Sequence, residues 1–193
     1  MLRDPSLVFY STVIMQMKIV HSSKCPTMGV GFFNNQLILL INAGFVKKLK
    51  FKELVAVLIH EVWHVIMSHM NRETGREHEK WNIAADIAIN QFIDNLPDGC
   101  LLPDAFNLPP ELAAETYYDK IPTKKISIVC GPNGKGGKKG LVDDHGQWQP
   151  MTANEKEIVK QVVQEAAKQK LPLLCLQFQL SNPLLNPAIP WVQ

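Results

Sequence analysis

The stretch Leu58-Ile59-His60-Glu61-Val62-Trp63-His64-Val65-Ile66-Met67 restricts the fold more than any other part of this 193-residue chain. Apolar residues recur at helical spacing from Lys52 to Met70. On a wheel of about 100° per residue with His60 at zero, His64 falls at about 40°, Ser68 at about 80° and Glu61 at about 100°. Nearly everything else between Leu54 and Met67 is apolar. Such a helix is buried almost all round, with one polar row inside the core. Each polar group buried without a partner costs roughly 1–3 kcal/mol, so the row needs partners.

Histidines four residues apart project side by side, the spacing at which two imidazoles bind one tetrahedral zinc ion. Glu61 sits beside them and is expected to act as the general base on a metal-activated water. A second helical stretch, Glu79 to Asp94, supplies a third ligand. With Asp86 at zero, Asn82 lies at about 320° and Asn90 at about 40°, and the rest of that helix is largely apolar. Asp86 follows His64 by 22 residues, enough for the chain to turn and return antiparallel. Two facing polar rows would satisfy each other through a metal held by His60, His64 and Asp86, with Asn90 orienting a ligand. On the same wheel His69 falls at about 180°, away from the row, and is expected to meet a loop or solvent.

Other chemistries fit less well. The HExxHxxGxxH pattern of metzincins needs Gly and His where this chain has Met67 and Met70. Gly99-Cys100-Leu101 resembles the thiolate-bearing segment of peptide deformylases, but it follows the HExxH instead of preceding it, leaving Cys100 as an alternative ligand. The glycine-rich loop is no phosphate cradle, because Gly131 and Gly136 are followed by Gly137 where a P-loop lysine belongs. Residues 131–140 read instead as a flexible basic surface loop. Its Lys135, Lys138 and Lys139 have no stacking aromatics among them, and the net charge is only +2, so nucleic acid is not an expected partner.

A composition of 46% apolar and 20% charged residues suits one soluble domain over residues 1–193. The N-terminal apolar run is interrupted by Gln16 and Lys18, which argues for a packed helix and against a signal peptide or membrane span. The cysteines Cys25, Cys100, Cys130 and Cys175 form no C-x-x-C pair, consistent with a reducing cytoplasm. Asn34-Asn35 between two apolar runs predicts a β-hairpin. The proline-rich segment 96–122 ends in a short helix, and Thr152 with Glu155 forms the capping box of a later one.

In order along the chain, "HEVWHVIMSHMNR", "KWNIAADIAIN", "LLPDAF", "ETYYDKI" and "DDHGQW" resemble a metallopeptidase domain family of bacterial and phage proteins, commonly found upstream of a von Willebrand A-like domain. The likeness spans about residues 35–150 and allows a further C-terminal domain after residue 193. It implies an α+β, zincin-like fold of the gluzincin kind, mainly helical, with a small sheet before the HExxH helix. The gluzincin second helix carries Glu-x-x-x-Asp, to which Asp86 and Asn90 correspond here. The shorter Asp must lie nearer the metal, and a neutral Asn polarises an imidazole less. His145 would stabilise the oxyanion or add a ligand, and Tyr117 or Tyr118 would serve as an oxyanion donor. The expected reaction is zinc-dependent hydrolysis of a peptide or protein substrate, held by backbone pairing to "GVGFF" or "QLILLI". The location implied is cytoplasm, or host cytoplasm or virion for a phage protein. The alternative is a non-enzymatic, zinc-braced domain for assembly with a protein partner in a phage particle or an ATPase-linked complex.

Overall fold

The computed structural model describes residues 7–122, 148 and 151–168. The segment 131–140, His145 and everything after residue 168 lie outside the described residues. The order of elements is α1 (Val8–Met15), β1 (Lys18–His21), β2 (Met28–Phe33), β3 (Gln36–Ile41), α2 (Ala43–Val46), α3 (Phe51–Ile66), α4 (His69–Arg72), α5 (His78–Asn90), α6 (Ala114–Lys120) and α7 (Ala153–Ala167), with a 3-10 turn at Pro103–Phe106. This is an α+β arrangement in which helices outweigh a three-stranded sheet.

The sheet order is β1-β3-β2. β2 and β3 form the expected hairpin, with Met28 opposite Ile41 at one end and Phe33 opposite Gln36 at the other. Asn34 and Asn35 both take positive φ, 50° and 56°, the pairing a two-residue turn needs to match strand twist. β1 adds in parallel on the far side of β3, from Lys18 beside Ile38 to His21 beside Ile41. The strand "QLILLI" is therefore central and offers no open edge, which corrects one of the two expected peptide-binding strands. Among the described residues β2 is an edge, and the Trp148 indole N–H donates to its Val30 carbonyl at 2.8 Å.

α3 is the central helix. It packs on α1, β2, α5 and α7, and nine of its residues from Ala56 to Ile66 are buried. Trp63 is fully buried and stacks on Phe92 just beyond α5, with ring centroids 6.3 Å apart and planes 12° from parallel. α7 lies against α1, where the Gln16 side-chain amide reaches the Val162 carbonyl at 3.4 Å. Its capping box forms as the sequence predicts: Thr152 Oγ1 accepts from Glu155 N, and the Glu155 carboxylate accepts from Thr152 N at 2.8 Å.

The predicted single helix from Lys52 to Met70 is in fact two. α3 ends at Ile66, Ser68 adopts a left-handed conformation with φ 51° and ψ 37°, and a short turn of helix restarts at His69. Arg72 at the end of that turn locks the new direction. Its guanidinium holds the Met67 carbonyl and forks onto the Glu115 carboxylate of α6, with Nε to Oε1 at 2.9 Å. Arg76 lies over the Trp81 ring at 4.8 Å and Lys80 over Tyr118 at 4.7 Å, which ties this corner to the start of α5.

Burial pushes the Glu115 carboxyl up, and the hydrogen bonds and charge of Arg72 reverse this, so its pKa ends below the ordinary 4.5. A depressed folded-state pKa gives stability that is complete above the unfolded value and is lost as pH falls through the folded one. Melting temperature measured from pH 6 down to about 3 should fall less steeply in Glu115→Gln than in the parent chain. Parallel curves would remove Glu115 as a source of acid sensitivity.

Candidate metal centre

The polar row of α3 and that of α5 meet in the core. His60, Glu61 and His64 on one helix and Asn82, Asp86 and Asn90 on the other are all buried. His60 Nε2 and His64 Nε2 stand 2.9 Å apart. Asp86 Oδ1 lies 3.3 Å from His64 Nε2 and 3.7 Å from His60 Nε2. Ligands about 2.0–2.1 Å from a tetrahedral ion are spaced about 3.3 Å from one another, so these separations bracket the required edge. Among the described residues this is the one group of three or more His, Cys, Asp or Glu whose donor atoms fall within 4.8 Å of one another. Two imidazole nitrogens and a carboxylate oxygen, converging in an apolar interior, fit a divalent metal of the zinc type.

Each imidazole is supported from behind. His60 Nδ1 donates to Asn90 Oδ1 at 2.8 Å, and the Asn90 amide N–H in turn donates to the Leu101 carbonyl at 2.9 Å. That second bond fixes which way the amide faces. With its proton on Nδ1, His60 presents a bare Nε2 to the group. Asn90 thus stands where the helical spacing places it, one turn beyond Asp86.

His64 is backed by a residue that sequence reasoning put elsewhere. His69 is buried, and its Nδ1 lies 3.0 Å from His64 Nδ1. The expectation that His69 faces a loop or solvent is corrected, because the wheel assumed a continuous helix and the left-handed Ser68 swings His69 back toward α3. The residue types carried little warning: a serine in that conformation is uncommon, and no glycine marks the break. Trp148, the last residue of "DDHGQW", is the other unforeseen neighbour. Its ring meets His64 edge-on, with centroids 5.3 Å apart.

The remaining candidates are placed as follows. Glu61 is fully buried immediately after His60. Cys100 is half-buried and lines a cleft that also borders His60, Asp86 and Asn90, but it is not among the three converging donors. The Tyr117 hydroxyl donates to the Pro109 carbonyl at 2.9 Å and accepts from Gln91 and Leu112, so it fastens the chain between α5 and α6. Burial pushes its pKa up, which keeps it protonated and donating. The Tyr117 hydroxyl is thus committed to these three partners. The Tyr118 hydroxyl accepts from Glu77 N at the start of α5. His145 is outside the described residues.

Fold and site together define an α+β domain whose HExxH helix and partner helix could hold a metal ion. The chain belongs to the family described as "Putative metallopeptidase domain", whose profile matches residues 7–193, a wider span than the 35–150 that the motifs suggest. A protein of Thermotoga maritima, described as uncharacterized, is 32% identical over 91 residues, which cover 46% of this chain and 23% of that protein. The chain therefore matches about a quarter of that relative's length. No solved structure matches.

Removing a bound ion should destabilise the fold, because three buried ligands lose their common partner. With zinc supplied at about 100 times its dissociation constant, the loaded chain should be more stable by about 2.7 kcal/mol than the metal-depleted one. His64→Ala should show neither the stoichiometric zinc nor the shift. Equal zinc content in both proteins, or a melting curve indifferent to chelator, would remove His64 from the ligand set.

Proposed function

We propose that the chain is a zinc-dependent peptidase of the zincin type, with His60, His64 and Asp86 as ligands and Glu61 as general base. The observation that carries this reading is the convergence of the three donors on facing helices directly beside the buried Glu61. Zinc, when bound, brings the pKa of a coordinated water to about 7 and polarises a carbonyl. Glu61 would take a proton from the attacking water as the water oxygen bonds to the scissile carbonyl carbon. The carbon–nitrogen bond then breaks, and Glu61 hands the proton to the departing amine. Asn90 holds His60 in orientation throughout.

Substrate would enter as an extended peptide beside the edge strand β2, by backbone pairing. It would compete there with the Trp148 indole for the Val30 carbonyl. His145 precedes Trp148 by three residues, and the contact of Trp148 with His64 supports His145 as a further ligand or an oxyanion donor. Tyr117 has no part in this proposal.

A second reading is favoured by one feature: His64 and Glu61 are 0% exposed, Asp86 1% and His60 6%. A site closed to this degree also suits a zinc brace in a domain whose work is assembly with another protein. Catalytic sites keep an open coordination position, whereas structural ones are closed by four protein ligands.

Glu61→Gln separates the two. The variant should keep its zinc and its melting temperature while cleavage of a peptide library falls by about 10²–10⁴-fold, because glutamine cannot accept the water's proton. Activity that survives the substitution would defeat the mechanism. A folded, zinc-loaded parent chain that cleaves nothing would favour the brace.

A further inference from the structure

We infer that His69 is a positioning residue for the metal centre, one that keeps the His64 proton on Nδ1 and so leaves His64 Nε2 bare toward Asp86 and His60. The inference rests on the ligand assignment proposed above. A neutral imidazole can give a lone pair to an ion through one nitrogen only while its proton sits on the other. For His64 the nitrogen facing the donor group is Nε2, 2.9 Å from His60 Nε2 and 3.3 Å from Asp86 Oδ1. Its Nδ1 faces His69 Nδ1 at 3.0 Å.

Two ring nitrogens at that distance share one proton. If it belongs to His64, His69 is the acceptor and carries its own proton on Nε2. If it belongs to His69, the His64 proton is driven to Nε2 and aimed at the place the ion would fill. Metal binding through His64 Nε2 therefore selects a single tautomer at both residues, and a neutral His69.

The surroundings keep His69 in position to do this. It is buried with its ring edge-on to His64, centroids 5.0 Å apart, and nearly perpendicular to Trp81 at 6.0 Å. The Trp81 indole N–H donates to the His69 backbone carbonyl at 3.0 Å, which anchors the main chain just past the Ser68 turn. Asn90 performs the matching service for His60 with an amide oxygen, an obligatory acceptor. The two ligands thus have unlike supports, and only that of His64 depends on a tautomer.

Two substitutions at this position isolate the acceptor. His69→Phe keeps the ring and loses the acceptor, while His69→Asn can set Oδ1 where Nδ1 stands. In chelator competition with metal-depleted protein, zinc affinity should drop by about 10–100-fold for His69→Phe. His69→Asn should recover most of it, and its cobalt-substituted visible spectrum should coincide with that of the parent. Equal affinity of His69→Phe and parent overturns the inference, as does His69→Asn binding no better than His69→Phe. Ring nitrogen NMR of the zinc-loaded parent needs no variant to fold: the proton should be found on His64 Nδ1 and on His69 Nε2. A proton on His69 Nδ1 overturns the inference. A parent chain that takes up no zinc instead defeats the peptidase reading beneath it.

Discussion

Six polar side chains enter the core of this domain on two helices whose other buried residues are apolar, and all six leave water to do so. Burial of that kind is tolerable only when the groups meet one another in good geometry. α3 and α5 meet through these groups: His60 reaches across to Asn90, and both His60 and His64 reach Asp86. The surrounding elements keep those distances. α1 and α7 cover other faces of α3, β2 lies along it, and α6 packs on α5.

What could be read from residue order was whatever obeys a short period. The hairpin at Asn34-Asn35, the capping box at Thr152 and the facing rows of α3 and α5 all come from spacing within one element, and spacing survives into the fold. The misplacements share a cause as well. His69 depends on one backbone conformation at Ser68, to which a helical wheel is blind. "QLILLI" became an inner strand because β1, unforeseen, pairs along it in parallel. The backbone partners of the Tyr117 hydroxyl at Pro109 and Leu112 are likewise set by the tertiary fold. Tertiary context decides such matters, and no local pattern encodes it.

The corner from Ser68 to Trp81 links these two kinds of information. Arg72 fastens the α3 end to α6, and Arg76 lies over Trp81. Trp81 binds the His69 carbonyl and faces the His69 ring. Partly exposed charged side chains thus bear, through one buried indole, on the imidazole that meets His64. An exposed-looking "NRETGREHE" segment is in this way part of the support for the centre.

The Trp148 contact bears on the order in which the molecule can assemble. The three converging donors and their hydrogen-bond partners all fall between His60 and Leu101, so the chain closes only short loops to bring them together. Trp148 and Val30 are 118 residues apart. Closing a loop of that length costs about 1.5 RT ln n, roughly 4 kcal/mol of chain entropy, before the contact returns anything. The donor group is therefore local and can form early, whereas its indole cover waits for the sheet and the C-terminal part of the chain. During synthesis the histidines would emerge and pair before the tryptophan whose ring lies against His64.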